Sequence, residues 1–141
     1  MSEPNAAPPN IVLLMSDQHH AGFMGCAGNG LVQTPNMDAL AREGVRFTNA
    51  HTSCPVCVPA RMGFMTARWP SAIHNWTNGC ALPSYEPTFA HPLGQAGYET
   101  VLCGKMHFIG FDQFHGFERR LTADPYGVHL IPDDLYRTPF G

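Results

Sequence analysis

Cys57-Val-Pro-Ala-Arg61 sets a thiol one helical turn ahead of a guanidinium. Pro59 is placed to open a helix running to about Arg68, which puts the thiol at that helix's N-terminus. There the unpaired N–H groups and the positive end of the macrodipole favour an anion. Arg61 projects from the same face and adds a permanent charge able to clamp an oxyanion. A buried structural cysteine beside a surface arginine is the plain alternative for such a pentapeptide taken alone. Cys54 also permits a redox C-x-x-C reading, although thioredoxin-like sites follow the first strand of a βαβ unit.

Other stretches carry polar groups at places where strands end. Asp17-Gln18 follows the apolar run Ile11 to Met15, and polar residues at the carboxyl end of a buried strand are where ligands sit in open α/β sheets. A polar strand end with no ligand is the alternative. Lys105 is the chain's only lysine and lies directly after a second strand pattern, with His107 two residues on. If strand geometry continues, the two side chains share a side. Histidines 19, 20, 51, 91, 115 and 129 are expected to be structural or exposed, since no zinc-site spacing occurs among them. Trp69, Trp76, Phe108, Phe111 and Phe114 offer an aromatic wall for a quaternary ammonium through cation–π contacts, with core packing as the alternative.

The elements that must position these groups alternate between strands and helices. Ile11 to Met15 is a continuous apolar run, as expected of a strand buried on both faces of a parallel sheet. Thr34-Pro35 opens a helix that Gly44 stops. Val45 to Ala50 alternates like a strand, Thr88 to Ala96 reads as a third helix with Gly97 as its stop, and Tyr98 to Cys103 reads as another strand. Beyond Ile109 periodicity fails. The pattern implies an α/β fold, a mostly parallel sheet flanked by helices, which gathers strand ends, and with them Asp17-Gln18 and Lys105/His107, at one crevice.

Composition narrows the function classes. Of 141 residues only 13% are charged, about half the ~25% usual for globular chains, while Gly (14) and Pro (13) are abundant. Disorder, coiled coil and collagen are excluded. The net charge of −3, with no basic cluster beyond Arg119-Arg120, gives no footprint for nucleic acid or an acidic membrane. No apolar run approaches the ~20 residues of a membrane span, and residues 1–9 read as a flexible leader without a secretory pattern, so a cytoplasmic protein is expected. Five cysteines leave one over in any full disulfide pairing.

Asn10 to Gln18, Thr34 to Gly44, Cys57-Val-Pro-Ala-Arg61 and Gly104-Lys-Met-His107 together resemble, in order and spacing, the type I sulfatases of the alkaline-phosphatase superfamily. The segment Gly104 to Thr122 looks most like the choline sulfatases, with phosphonate monoester hydrolases as near relatives. The resemblance implies an alkaline-phosphatase-like fold, of which residues 10–141 would be the N-terminal portion. It also implies sulfuric ester hydrolysis by a formylglycine made from Cys57 by the formylglycine-generating enzyme. In that chemistry a hydrated aldehyde attacks sulfur, the alcohol leaves, and the second hydroxyl expels sulfate.

Carried over residue by residue, Cys57 is the nucleophile precursor and a metal ligand. Arg61 holds the developing charge, and Lys105 and His107 bind the sulfate and assist the leaving alcohol. Asp17 and Gln18 match the first pair of metal ligands. Their oxygen donors suit a hard cation, Ca²⁺ first with Mg²⁺ or Mn²⁺ as substitutes. Asn78 matches a substrate-contacting asparagine and His74 a family histidine near the sulfate, with loop capping as the alternative for both. The implied substrate is a small sulfate ester, choline sulfate in particular, and a homo-oligomer is compatible with the reading.

Sulfatases of this type are several times longer, and their second pair of metal ligands has no counterpart after His107. Asp133-Asp134 is rejected as that pair. Two other readings stay open: a phosphonate or phosphate ester hydrolase, and a short chain that binds only an anion or a partner.

Overall fold

The computed structural model describes residues 7–124, so the expectations for His129 and Asp133-Asp134, and most of that for the 1–9 leader, lie outside the described residues. The chain divides into two units, residues 1–49 and 50–141.

The first unit is built around one helix. Helix α1 spans Pro35–Glu43, with Pro35 in its first turn and the Gly44 N–H closing onto the Leu40 carbonyl, as the sequence predicts. Thr34 does not cap it through its side chain. Its hydroxyl instead accepts the Gly25 N–H and donates to Asp38, whose carboxylate also accepts the Cys26 N–H. These bonds dock the short 3-10 turn Gly25–Ala27 on α1. Arg46 adds a bond to the Cys26 carbonyl.

Two expected strands are absent from this unit among the described residues. Ile11 to Met15 and Val45 to Ala50 carry no strand pairing. Leu14 is 83% exposed, so the run expected to be buried on both faces faces solvent, and Phe47 in the alternating run is 80% exposed. The reason is that a strand's hydrogen bonds lie between segments, so an apolar run without neighbouring strands to pair with has no ladder to join.

The second unit holds the core. Helix α2 spans Cys57–Thr66 and α3 spans Ala90–Gln95, followed by strands β1, Val101–Leu102, and β2, Arg119–Arg120. The two strands pair in parallel, Val101 opposite Arg119 and Leu102 opposite Arg120. Backbone bonds from Glu118 and Arg119 to the Thr100 carbonyl and from Leu121 to the Leu102 carbonyl extend the ladder. Val58, Met62 and Met65 from α2 pack with Ile73, Leu82, Leu102, Met106, Phe108 and Ile109. Phe89 and Phe117 lie against this cluster and stack edge-on with each other.

Helix α2 begins two residues before the position expected from Pro59. Proline fits there because no amide in a helix's first turn has an intrahelical acceptor, so the missing N–H costs nothing. The Tyr98 to Cys103 strand shortens to β1, and its partner β2 comes from the stretch where periodicity fails.

Candidate active site

Helix α2 presents Cys57 as its first residue, half-buried, behind the extended Val56. The Ala60 N–H makes the first helical bond, to the Val56 carbonyl at 2.9 Å. The Val58 N–H, which has no acceptor within the helix, is taken by Oδ1 of Asn78 at 2.9 Å. Asn78 thus caps the helix that carries the thiol, from a loop twenty residues downstream. Its assignment to substrate is therefore joined by a structural task that the sequence left as the alternative.

Arg61, four residues on, is 6% exposed, and its Nη1 donates to the Lys105 carbonyl at 2.8 Å. Lys105 in turn aims Nζ at Cys57 Sγ, 3.8 Å away. The Lys105 ammonium and a helix N-terminus therefore converge on one sulfur, with the Arg61 guanidinium bonded to the backbone that carries Lys105. Such a concentration of positive potential is suited to an anion and to negative charge developing next to the side chain at position 57.

Strand geometry does not continue past β1, which corrects the expectation that Lys105 and His107 share a side by alternation. Gly104 and His107 both take left-handed backbone, at φ 91° and 63°, so the chain turns sharply through this segment. His107 is buried beside Lys105 in that turn, and its backbone N–H and that of Met106 are both held by the Asp124 carboxylate.

His74 is exposed, with its ring edge-on to Trp76 at 5.5 Å, also on left-handed backbone. Among the aromatic candidates Phe108 is fully buried in the core, whereas Trp69, Trp76 and Phe111 are exposed. His115, expected to be structural, is buried against Phe108 with ring centroids 4.5 Å apart. Burial holds its imidazole below the usual histidine range, against the pull of the nearby Asp112 carboxylate. Burial also opposes ionisation of Asp112. The N–H groups of His115 and Phe114, the His115 ring and the Ser84 hydroxyl outweigh it and hold that carboxyl below its ordinary range.

Asp17 and Gln18 belong to the first unit, exposed at the end of the apolar run, and Gln18 takes left-handed backbone at φ 54°. Their oxygen donors fit a hard divalent cation and leave most of its coordination shell to other groups. Among the described residues no three His, Cys, Asp or Glu side chains gather as a metal-binding group. The structure thus links Cys57, Lys105 and Arg61 by direct contacts, sets His107 in the same turn as Lys105, and brings Asn78 to the neighbouring Val58 N–H. What sequence reasoning missed is the segment 119–124, which pairs with β1 and braces this turn. The spacing of Arg120 and Asp124, i and i+4, was its one visible signal.

Comparison with known proteins agrees with this architecture. The sulfatase family model matches residues 9–140. The choline-sulfatase of Rhizobium meliloti (strain 1021) is 44% identical over 131 residues, covering 93% of this chain and 26% of that protein. Human arylsulfatase H is 42% identical over 147 residues, covering 96% of this chain and 25% of its own length. The chain spans about a quarter of the length of these curated relatives.

A protein solved in complex with its substrate D-glucosamine-2-N,6-O-disulfate superposes with a TM-score of 0.74 at 37% identity, over 79% of this chain and 22% of its own. The yidJ sulfatase structure of Bacteroides fragilis gives 0.59 at 35% identity, over 65% and 22%. The small parallel sheet with its helices is thereby a portion of the alkaline-phosphatase-like α/β fold. With its sequence matched almost end to end by the family model and 79% of its length superposing on a solved protein at 37% identity, this chain belongs to the sulfatase family.

Proposed function

We propose that the protein acts in the hydrolysis of a small sulfate ester, with Cys57 as the precursor of the nucleophile. The observation that carries this reading is the convergence of Lys105 Nζ and the α2 N-terminus on the side chain at position 57, with Arg61 bonded behind them. Oxidation of Cys57 to formylglycine supplies a hydrated aldehyde, a nucleophile that avoids attack by water on a sulfated enzyme. Asp17 and Gln18 offer oxygen donors that would hold a hard cation, Ca²⁺ or in its place Mg²⁺ or Mn²⁺, which would supply Lewis-acid polarisation of the sulfate oxygens.

The chain's own residues do the rest. Lys105 places its ammonium where the ester's anionic oxygens gather, and Arg61 fixes the backbone that carries Lys105. His107 lies beside Lys105 and is the group for the proton that the departing alcohol needs. Asn78 keeps the first turn of α2 intact, so the amides around position 57 stay directed at the anion. Choline sulfate is the substrate we favour, because the choline-sulfatase of Rhizobium meliloti is 44% identical over 93% of this chain. The exposed Trp69 and Trp76 offer faces to a quaternary ammonium.

The test is co-expression with the formylglycine-generating enzyme, followed by mass spectrometry of the Cys57 peptide. A loss of about 18 Da marks the thiol-to-aldehyde step. Turnover of choline sulfate, an aryl sulfate and the matching phosphate and phosphonate esters is then compared. The measurement is made on this chain and on a hybrid in which it replaces the matched segment of the Rhizobium meliloti choline-sulfatase. Preference for sulfate esters supports the reading. Preference for phosphonate esters moves the protein to the neighbouring activity, and an aldehyde at position 57 without turnover in the hybrid refutes it.

A further inference from the structure

We infer that segment 119–124 is a positioning splint for the Lys105 to His107 turn, with Asp124 as its decisive residue. The inference rests on the proposed sulfatase role for the catalytic character of Lys105 and His107, but its geometry stands without that role.

The parallel pairing of β1 with β2 ends with the Leu121 N–H on the Leu102 carbonyl. From there the same two segments stay joined, but by side chains. Thr122 Oγ1 accepts the Gly104 N–H at 2.6 Å. Asp124 Oδ2 accepts the Met106 N–H at 2.9 Å and also the His107 N–H. A hydroxyl and a carboxylate thus take over where a third and fourth strand residue would have paired. The substitution is physically required, because the positive φ angles of Gly104 and His107 turn their N–H groups out of a ladder.

Asp124 is 1% exposed, and a buried carboxylate needs several partners to stay charged. It has the two N–H groups and, at 3.3 Å, Arg120 Nη2. Arg120 is fixed in its turn. Its Nε donates to the Thr122 carbonyl, its Nη1 donates to the Gln113 carbonyl and Oε1, and the guanidinium lies 6.0 Å from the centre of the Phe108 ring. Gln113 Nε2 then donates to the carbonyls of Phe108 and Gly110, the far end of the same turn. The splint therefore holds residues 104–110 at both ends, and Lys105, whose Nζ faces Cys57, lies within its span.

The bonds Asp124 makes to this turn are to the backbone N–H groups of Met106 and His107, so it acts on Lys105 and His107 through the backbone that carries them. Displacing that backbone by about 1 Å is enough to cost a catalytic constellation about a hundredfold.

The experiment uses the unmodified 141-residue chain and reads the Lys105–Cys57 contact directly. Cys57 is alkylated with anionic iodoacetate and with neutral iodoacetamide, and peptide mass spectrometry gives the ratio of the two rates. Lys105→Met sets the floor, expected about fivefold below wild type, the size of one charge contact near 4 Å in a water-like medium. Asp124→Asn is expected to bring the ratio most of the way to that floor, while Asp124→Glu keeps more than half of the wild-type value. The His107 amide proton should shift upfield in Asp124→Asn, with the Val58 and Ile73 methyl resonances unmoved.

Should Asp124→Asn unfold, Thr122→Val at an exposed side chain carries the test with a partial fall. A wild-type ratio in Asp124→Asn whose His107 amide has moved overturns the inference. A fall accompanied by shifts throughout the core methyls overturns it too, since that is a structural effect only. Thiol alkylation needs no aldehyde and no turnover, so failure of the sulfatase reading leaves this result standing.

Discussion

Asn78 gives the sharpest separation of structural from chemical roles. Its Oδ1 takes the Val58 N–H at 2.9 Å, and Val58 is fully buried, so water cannot replace the lost acceptor in Asn78→Ala. Loss of a cap costs about 0.5–2 kcal/mol, and an unsatisfied buried donor about 1–3, so about 1.5 kcal/mol is expected here. Taking the second unit, residues 50–141, as the cooperative body, a domain of this size loses about 4–8 °C per kcal/mol, hence about 6–12 °C in midpoint.

Asn78→Asp keeps the acceptor and adds a negative charge at the helix N-terminus, where it is favourable by about 0.3–1 kcal/mol. That variant is expected to melt at or slightly above the wild type. The same charge, on the loop that caps the Cys57 turn, repels an incoming sulfate. Circular dichroism melts with and without added sulfate read both effects: Asn78→Ala melts early, and Asn78→Asp melts normally but loses the sulfate-induced rise. An Asn78→Ala chain that melts with the wild type refutes the capping argument. An Asn78→Asp chain stabilised by sulfate as strongly as the wild type refutes the placement of the anion.

Further outcomes follow from single contacts. Arg61→Met removes a charged donor from the Lys105 carbonyl at a position 6% exposed, and the urea midpoint should drop by the equivalent of about 1.5–3 kcal/mol. An unchanged midpoint would show that bond to be idle. Replacing a helical glycine by alanine ordinarily stabilises by up to about 1 kcal/mol. Gly63→Ala should do the opposite, since its Cβ would lie 2.8 Å from Ser53 Oγ and 3.1 Å from the Arg68 carbonyl, and Ser53→Gly should partly restore the loss in thermal melts. His115 is held neutral by burial, with its folded pKa below the unfolded value of about 6.5. The unfolded chain therefore binds the extra proton first, so stability is full above about pH 6.5 and falls as pH drops from there toward the lowered value. In His115→Phe the slope across that window should flatten, as measured by urea denaturation at stepped pH.

Where a local rule had a local cause, the sequence was legible. Pro35 and Gly44 bracket α1 because a proline's fixed φ and a glycine stop act on their own neighbours. Helix α2 was foreseen around Pro59 but begins two residues earlier, because first-turn amides need no acceptor. The run at Ile11 reads as a strand buried on both faces and that at Val45 as an alternating strand, and here neither pairs and both lie exposed. Their apolar character states what they would bury against, but pairing depends on segments elsewhere in the chain.

The sequence by itself determined the chemistry of the site: a thiol at a helix N-terminus with an arginine one turn on, a lone lysine with a nearby histidine, and oxygen donors after an apolar run. These are properties of residue type and short spacing, which a linear reading preserves. Only the tertiary structure decided which of them meet. Lys105 reaches Cys57 across 48 positions, Asn78 caps α2 across 20, and Asp124 braces the His107 turn from a stretch with no periodicity at all. Those contacts depend on how β1, β2 and the core cluster fold the chain back on itself, and no local pattern of residues encodes that return path.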